Sequence, residues 1–208
     1  MKITIIGASA GTGLITVQQA LAKGYQVTVL SPRTETIPDH PLLTKITGSA
    51  TSVSDMKRAM TGADAVLVTI GTKSKKPNTL FSDTANALVK SGAELGLQAP
   101  VLTITGFGSG ESSSYLSFFM RTVINLFLKN QYINKTLMEE IIAKSPLKWE
   151  IIRPGMLGNG PLTKKYKVLP NLYKGIKVGK IARADVADFL LTEAINPKML
   201  YQYPALTS

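Results

Sequence analysis

The sequence predicts an α/β fold: a Rossmann-type doubly wound parallel sheet with helices on both faces, in a single domain that spans residues 1–208. Three observations lead to this prediction. A short apolar strand near Met1 runs directly into a glycine-rich turn and a helix, and strand and helix segments then alternate along the chain. The composition, with 44% hydrophobic and 18% charged residues, provides the core of one folded domain.

The first 30 residues predict a β-turn-α-β unit, which has the length that a parallel crossover needs. Residues 2–6 and 26–30 are apolar and rich in β-branched side chains, so both are expected to form strands. The helix between them is predicted to end at Gly24. Its apolar face consists of Leu14, Val17, Ala20 and Leu21.

The same alternation continues through the rest of the chain. Further strands are predicted at residues 44–47, 65–70, 101–105 and 149–153, and further helices near residues 54–61, 79–96, 131–145 and 184–194. The segment 65–70 is mostly apolar without alternation, which is typical of a parallel strand covered on both faces. Right-handed crossovers then place successive helices over the sheet.

Residues 115–128 form an apolar stretch that Arg121 and Asn125 interrupt, and it is shorter than the ~18 residues of a membrane-spanning helix. We predict no membrane association. We expect the stretch to pack under the sheet edge, with a substrate lid or a dimer interface as alternatives. We expect the protein to be a monomer or a homodimer. Its large apolar side chains are Leu116, Phe118, Phe119, Met120, Ile124 and Phe127.

The composition excludes several classes of site. The absence of cysteine excludes a disulfide framework, a thiolate nucleophile and a zinc site built on sulfur, and the single histidine, His40, argues against a histidine-based triad or metal site. No metal is therefore predicted. Met1 leads into the first strand without a basic segment and a cleavage site, which predicts no signal peptide and a cytoplasmic location.

The net charge of +11 is concentrated in residues 121–183, which carry 13 basic and three acidic residues. Within this range, residues 160–180 contain six lysines and no carboxylate. Such a segment suits phosphate contacts, an anionic substrate or a nucleic acid. Few aromatic residues are interleaved for base stacking, so we interpret the segment as a solvated face and nucleic-acid binding as the less favoured alternative. The lysines concerned are Lys164, Lys165, Lys167, Lys174, Lys177 and Lys180.

The glycine-rich turn between the first strand and the first helix predicts a dinucleotide site, because backbone N–H groups at a helix N-terminus can face a pyrophosphate. Gly7 permits the tight turn, Gly11 lets the phosphates approach the backbone, and Gly13 lets the helix lie close to the strand. The predicted cofactor contacts in this turn are Gly7, Ser9, Ala10, Gly11, Thr12 and Gly13.

The spacing Gly-x-x-x-Gly-x-Gly resembles the short-chain dehydrogenase/reductase superfamily. More closely, the chain is similar to the atypical, compact branch of NmrA-like proteins, biliverdin reductase B and bacterial NADH-flavin reductases. The stretches that carry the resemblance are residues 1–33, 62–72, 147–155 and 181–188. The chain departs from many relatives at Ala10, where they have glycine, and at Gly48-Ser49-Ala50, where they have an aspartate near the adenine.

The end of the second strand indicates which dinucleotide is preferred. An acidic residue there would bind the ribose hydroxyls of NAD, but this chain has Ser31 and Arg33, which suit the 2′-phosphate of NADP. We therefore predict NADP(H) as the preferred cofactor, with NAD(H) as the alternative if Arg33 points to solvent and Glu35 binds a ribose. Further cofactor contacts are predicted at Ser49, Ala50, Gly71, Thr72 and Pro154.

The resemblance implies a hydroxyl near the nicotinamide, and Thr105 is the candidate, with Thr103 as its competitor and a buried structural threonine as the alternative. Carbonyl-reducing members also carry a Tyr-x-x-x-Lys pair. Here Tyr132 and Lys135 are separated by three positions instead of four. The missing residue would rotate the tyrosine by about 100° away from the orientation of the usual acid. Positions i and i+3 nevertheless share a helix face, so joint action of the two residues stays open. Lys135 is predicted to contact the ribose.

The family resemblance implies hydride transfer to FMN, FAD, riboflavin or another small conjugated acceptor, because flavin and biliverdin reductases of this type need no tyrosine. The loops at about 106–130 and 154–180 are expected to form the substrate wall. Arg153 is either a contact for a carboxylate or phosphate or a structural ion-pair partner. Two other functions stay open: a non-catalytic NAD(P) sensor of the NmrA-like type and a carbonyl reductase that uses Tyr132.

Overall fold

The computed structural model describes residues 1–72, 74 and 76–208. Its main sheet has eight strands in the order β3-β2-β1-β4-β5-β6-β10-β8, and every neighbouring pair is parallel except β10 and β8. The strands are β1 (Lys2–Ile6), β2 (Gln26–Ser31), β3 (Leu43–Thr47), β4 (Ala65–Val68), β5 (Val101–Ile104), β6 (Trp149–Pro154), β7 (Met156–Gly158), β8 (Lys167–Leu169), β9 (Lys180–Ala182) and β10 (Ala205–Thr207). Strands β7 and β9 pair separately. The predicted Rossmann-type sheet is confirmed.

Helices cover both faces of the sheet. They are α1 (Gly11–Ala22), α2 (Val53–Met60), α3 (Leu80–Leu95), α4 (Phe118–Val123), α5 (Lys129–Ala143) and α6 (Arg183–Ile195). Helices α1 and α6 pack on one face, where Ile3 and Ile5 lie, and α2, α3 and α5 pack on the other, where Ile6 lies. Because β1 and its neighbours are covered on both sides, nearly all residues of β1, β2 and β4 are buried, where an open sheet would alternate buried and exposed positions.

The predicted elements are all present, with small shifts at their ends. Strand β4 ends at Val68 and β5 at Ile104, earlier than the apolar patterns suggest. The three-residue strands β7 to β10 were not predicted, because three residues are too few to establish a periodicity. They matter for the site, since β10 extends the sheet beside β6 and the β7–β9 pair brings α6 toward the glycine-rich turn.

The expectation that the apolar stretch at 115–128 packs under the sheet edge is wrong. A 3₁₀ turn (Gly110–Tyr115) carries the chain away from β5, and α4 and a following π-helical turn (Ile124–Leu128) pack mainly on each other and on α5. Phe118 is 87% exposed, and Phe119, Leu126 and Phe127 are exposed as well. Only Ile124 of this segment is buried.

The lysine-rich segment is anchored to α6, and its lysines point to solvent. The Asp185 carboxylate accepts hydrogen bonds from the backbone N–H groups of Thr163 and Lys164 at 2.7 and 2.9 Å, and Asp188 accepts one from the Tyr166 hydroxyl. The six lysines between Lys164 and Lys180 are exposed. Their arrangement fits the predicted solvated face.

Two buried carboxyl groups meet at the sheet edge opposite the glycine-rich turn. Glu150 of β6 is fully buried, and burial together with the charge of Glu193 on α6 raises the pKa of Glu150 from its ordinary value of 4.5 to about 8. The unfolded chain therefore ionises at lower pH than the folded one. The stabilising contribution of this group is fully present below about pH 4.5 and is lost as the pH rises toward 8.

We expect the substitution Glu150→Gln to remove this pH dependence and to raise the free energy of unfolding at pH 8 by about 4 kcal/mol, with little change at pH 4.5. Urea denaturation of both proteins across this range provides the measurement. The exposed Glu35 serves as a control through Glu35→Gln, which should leave the curve unchanged. A stability difference that is the same at every pH would contradict the prediction.

Candidate functional site

The glycine-rich turn leaves β1 and starts α1, and two of its glycines hold the turn tightly against the neighbouring strand. Gly7 has φ +86°, and a Cβ there would lie 2.8 Å from the Ile70 backbone. A Cβ at Gly13 would collide with the Gly7 carbonyl oxygen and lie 2.5 Å from Thr69 Oγ1. These two positions accept no side chain, so the first turn of α1 lies directly against the ends of β1 and β4.

Gly11 differs from these two because the space in front of it is open. It is exposed, has φ +57° and begins α1, whose first turn contains no acidic residue and whose N-cap, Ala10, offers no side-chain hydrogen bond. A Cβ at Gly11 would meet only the Arg183 side chain, with Nε at 3.7 Å. The free N–H groups of this helix end, next to a guanidinium, have the chemistry that binds a phosphate.

Arg183 is a site residue that the sequence analysis did not identify. It begins α6, and its guanidinium donates to Asn159 Oδ1 at 2.7 Å and to the Leu157 carbonyl oxygen at 3.4 Å, which hold it beside Gly11. The only indication in the sequence was its position within the family-like stretch 181–188. Its proximity to the turn depends on packing between segments about 170 residues apart.

At the end of β2, the two residues predicted to select NADP are in different environments. Arg33 is exposed, whereas Ser31 is 1% exposed and its hydroxyl lies buried without a hydrogen-bond partner in the described part of the chain. Arg33 is therefore the more accessible candidate for a 2′-phosphate. Next to it, the Ser49 N–H donates to Asp55 Oδ2 at 3.0 Å, so a carboxylate from α2 stands behind the Gly48–Ala50 turn.

Gly71 and Thr72 follow β4 at the same edge of the sheet. Gly71 is exposed, and a Cβ there would meet no atom of the described residues within 4 Å, while the Thr72 hydroxyl accepts a hydrogen bond from the Ser74 N–H at 3.0 Å. Pro154, at the end of β6, is buried, and its carbonyl oxygen accepts a hydrogen bond from the Phe107 N–H. Direct cofactor contacts at these residues stay predictions.

The hydroxyl of Thr105 is directed into the protein, contrary to the expectation that it faces the nicotinamide. Thr105 is 3% exposed, and its hydroxyl donates to Glu139 Oε1 at 2.6 Å. The attraction of a buried carboxylate on α5 explains this orientation, because a carboxylate is a stronger acceptor than a neutral group. Thr103 is fully buried as well, so it does not replace Thr105 as an accessible hydroxyl near the nicotinamide.

Arg153 is a structural ion-pair partner. It is 2% exposed, it donates to Glu139 through Nε at 3.1 Å and through a terminal nitrogen at 2.8 Å, and its other terminal nitrogen lies 3.4 Å from Glu111. Its guanidinium also stacks on the Tyr203 ring at 4.3 Å. Its donors are thus occupied within the protein, which resolves the two alternatives left by the sequence.

Tyr132 and Lys135 of α5 meet at Gly106, just after β5. The Tyr132 hydroxyl oxygen and Lys135 Nζ lie 3.2 and 3.5 Å from the position of a Cβ at Gly106, and Nζ donates to the Thr105 carbonyl oxygen at 2.7 Å. The shortened spacing therefore does not separate the two groups, and the misaimed orientation of Tyr132 as an acid stays a prediction. Residues three apart share a face of α5, so the shortened spacing still brings both groups to one place.

Burial controls the protonation of both groups. It lowers the pKa of Lys135 to about 8, against the opposing charge of Glu139, and it raises the pKa of Tyr132. Tyr132 therefore keeps its proton at neutral pH and can donate a hydrogen bond or a proton. Lys135 carries most of its positive charge at pH 7 and loses it as the pH rises through 8.

A cavity of about 720 Å³ opens beside Tyr132, between α5, the 3₁₀ turn and α4. Its size is that of a typical small-molecule site. It is lined by Gly108, Gly110, Glu111, Ser113, Ser114, Leu116, Arg121, Ile124, Asn125, Lys129, Tyr132, Ile133, Thr136 and Glu140. These residues lie within or near the predicted wall at 106–130 and continue it into α5.

Across residues 1–72, 74 and 76–208, no group of three or more His, Cys, Asp or Glu side chains is arranged to hold a metal ion. In the same part of the chain, no helix combines the length and the apolar character needed to span a bilayer.

Solved structures with the same fold include several oxidoreductases. An anaerobillin reductase, ChuY, from Escherichia coli O157:H7 has 22% sequence identity and a TM-score of 0.81, and the match covers 100% of this chain and 97% of that one. A short-chain dehydrogenase/reductase from Veillonella parvula, solved in complex with NADP, has 16% identity and a TM-score of 0.85, with 100% and 94% covered. The oxidoreductase YlbE from Lactococcus lactis has 17% identity and a TM-score of 0.85, with 100% and 91% covered.

The predicted resemblance to atypical short-chain dehydrogenases/reductases is confirmed by this shared fold and by a family model. The model, described as NAD(P)H-binding, matches residues 7–197 and so includes the glycine-rich turn, Tyr132, Lys135 and Arg183. The chain belongs to this NAD(P)H-binding family.

Proposed function

We propose that the protein is an NADPH-dependent reductase that passes hydride to a small conjugated acceptor such as FMN, FAD or riboflavin. The observation that carries this proposal is the convergence at Gly106. There Tyr132 lies beside Lys135 and lines a cavity of about 720 Å³, at the edge of the sheet from which the glycine-rich turn also leaves. Ligands of open α/β sheets bind at this edge.

The cofactor would fit the residues present. The N–H groups at Gly11 and the Arg183 guanidinium suit the pyrophosphate, Arg33 suits a 2′-phosphate, and Lys135 suits a ribose hydroxyl. When bound, NADPH supplies a hydride and becomes NADP⁺. The acceptor gains the hydrogen nucleus and two electrons of this hydride and takes a further proton from water. The chain's own contribution is orientation of the acceptor in the cavity and exclusion of water from it.

A second candidate function, carbonyl reduction, is favoured by one observation. The protonated Tyr132 hydroxyl lies beside Lys135 and Gly106, where it could give a proton to a carbonyl oxygen. A conjugated ring needs no such acid, because it delocalises the charge that the hydride brings. The two functions therefore differ in how strongly turnover depends on the Tyr132 hydroxyl.

The primary test is NADPH and NADH oxidation with a panel of flavins, quinones, linear tetrapyrroles and simple carbonyl compounds, with controls that lack an acceptor. Steady, saturable turnover with a conjugated acceptor is the expected result. NADPH binding without turnover on any acceptor would contradict the proposal and favour the non-catalytic sensor. The predicted cytoplasmic location and the choice between monomer and homodimer are independent of this experiment.

We expect Tyr132→Phe to retain turnover of a flavin within about tenfold of the unmodified protein, since a positioned general acid contributes about 10²- to 10⁴-fold. Steady-state kinetics at saturating NADPH give the measurement. Tyr25→Phe, at the far end of α1 and remote from Gly106, is the matched control. A loss of about a thousandfold with intact NADPH binding would show that turnover needs the Tyr132 proton, which would contradict the expectation and favour the carbonyl-reductase mechanism.

We expect Arg33→Ala to weaken NADPH binding by about 1.5 to 3 kcal/mol and to leave NADH binding nearly unchanged, because only NADPH offers a phosphate for a charge-assisted hydrogen bond. Calorimetry with each dinucleotide provides the measurement. Lys148→Ala removes an exposed charge next to the opposite end of β6 and should affect neither cofactor. Equal losses for the two dinucleotides would show that Arg33 does not select between them.

A further inference from the structure

We propose that the acceptor carries an anionic group, a carboxylate or a phosphate, that Arg121 and Lys129 bind at one end of the cavity beside Tyr132. This inference rests on the proposed reductase function and extends it to the chemical class of the substrate. It is carried by the distribution of charge and apolar surface around the cavity.

The cavity combines an apolar wall with cations. Leu116, Ile124 and Ile133 contribute apolar side chains, which suit the face of a conjugated ring. Arg121 comes from α4 and Lys129 from the start of α5, and both line the same cavity. A ring with a charged substituent would use both parts of this lining.

Neither cation is paired with a carboxylate of the described residues. The Arg121 guanidinium donates a hydrogen bond to the carbonyl oxygen of Ser114 at 3.4 Å, and Ser114 also lines the cavity. Within the described residues, neither Arg121 nor Lys129 forms a salt bridge. Both are exposed, so they reach an anion without the cost of breaking an existing ion pair.

Two carboxylates also line the cavity, but within the described residues neither of them pairs with these cations. Glu111 pairs with the buried Arg153 at 3.4 Å, and it forms no salt bridge with Arg121 or Lys129 within the described residues. Glu140 follows Lys129 by 11 residues on the same helix, a separation of ~16 Å along the axis. The positive charge of Lys129 therefore lies near the start of α5 and the negative charge of Glu140 near its other end.

This polarity orients an acceptor relative to the reacting groups. Tyr132 follows Lys129 by three residues, ~4.5 Å along the helix axis, and both line the cavity. An anionic substituent held by Arg121 and Lys129 leaves the ring that carries it beside Tyr132 and Gly106. The two cations thus act as specificity residues, separate from the groups at the reacting centre.

Matched ligands test the charge and identify its source. FMN and riboflavin share one ring system and differ by a phosphate, and biliverdin and its dimethyl ester share one conjugated system and differ by two carboxylates. We would measure the dissociation constant of each ligand by fluorescence quenching with the NADP⁺-loaded protein, for the unmodified chain and for a double variant, Arg121→Gln with Lys129→Gln. Lys144→Gln, an exposed lysine on the same side of the sheet but outside the cavity lining, is the control.

The unmodified protein is expected to prefer the charged member of at least one pair. The double variant should weaken binding of that member about tenfold, which is the loss of one charge-assisted hydrogen bond, and should change binding of the uncharged member by less than about twofold. Lys144→Gln should change neither. Preference within the flavin pair assigns a phosphate, and preference within the tetrapyrrole pair assigns a carboxylate.

Three results would overturn the inference: equal binding within both pairs, a preference that survives in the double variant, or no saturable binding of either charged ligand. Turnover separates this outcome from failure of the proposed function. Charge-dependent binding without NADPH oxidation would contradict the reductase and leave the anion site in place. NADPH oxidation with no preference for the charged ligands would support the reductase and contradict the anion site.

Discussion

Replacing Glu139 by glutamine should lower the free energy of unfolding by about 3 to 5 kcal/mol, one of the largest effects of a single substitution expected in this protein. Glu139 and Arg153 are both almost fully buried, and the carboxylate accepts two hydrogen bonds from the guanidinium and one from Thr105. The amide would leave a buried cation without its principal counterion. Urea denaturation monitored by circular dichroism would measure the loss.

The exposed partner of the same arginine provides a matched control. Glu111 is 3.4 Å from Arg153 and its side chain is 67% exposed, so Glu111→Gln should cost less than about 1 kcal/mol. A double variant, Glu139→Leu with Arg153→Met, should recover part of the loss, because it removes the buried charge together with its partner. Equal destabilisation by Glu139→Gln and Glu111→Gln would refute a dominant role for the buried pair.

The fold could be predicted from the sequence because the local patterns of the chain agree with its long-range arrangement. Residues 2–30 specify a parallel crossover by their own periodicity, and repetition of that unit leaves few topologies open. The short strands β7 to β10 escaped prediction for the opposite reason. Each contributes three residues, and each is a strand because a neighbour is already in place.

The candidate site was only partly predictable because several of its contacts join distant parts of the chain. The turn at Gly7–Gly13 is local and was identified by spacing, whereas Arg183 reaches Gly11 only in the folded protein. Thr105 was identified by its position at a strand end. Its orientation, however, is fixed by Glu139 on another element, which no local pattern reveals.

The apolar segment around α4 illustrates a different limit. Its composition suggests a buried core element, yet Phe118 and Phe119 are exposed. Hydrophobicity indicates that a surface is suited to contact with apolar groups. It does not distinguish the protein's own core from a ligand or another chain.

Gly11→Val is expected to weaken NADPH binding by at least about a hundredfold while the protein stays folded, because the side chain would occupy the open space in front of the α1 N-terminus. Loss of two charge-assisted hydrogen bonds to the pyrophosphate is sufficient for an effect of this size. Calorimetry with NADPH measures it, and thermal unfolding confirms that the variant is folded.

Gly24 is the matched control for this substitution. It also has a positive φ, +76°, and nothing lies within 4 Å of its Cβ position, but it follows the other end of α1. Valine at either glycine imposes a similar backbone strain, so both variants should lose similar stability. Only Gly11→Val should lose the dinucleotide. If the two variants bind NADPH equally well, the pyrophosphate does not lie at the Gly11 end of α1, and the site assigned to the glycine-rich turn is wrong.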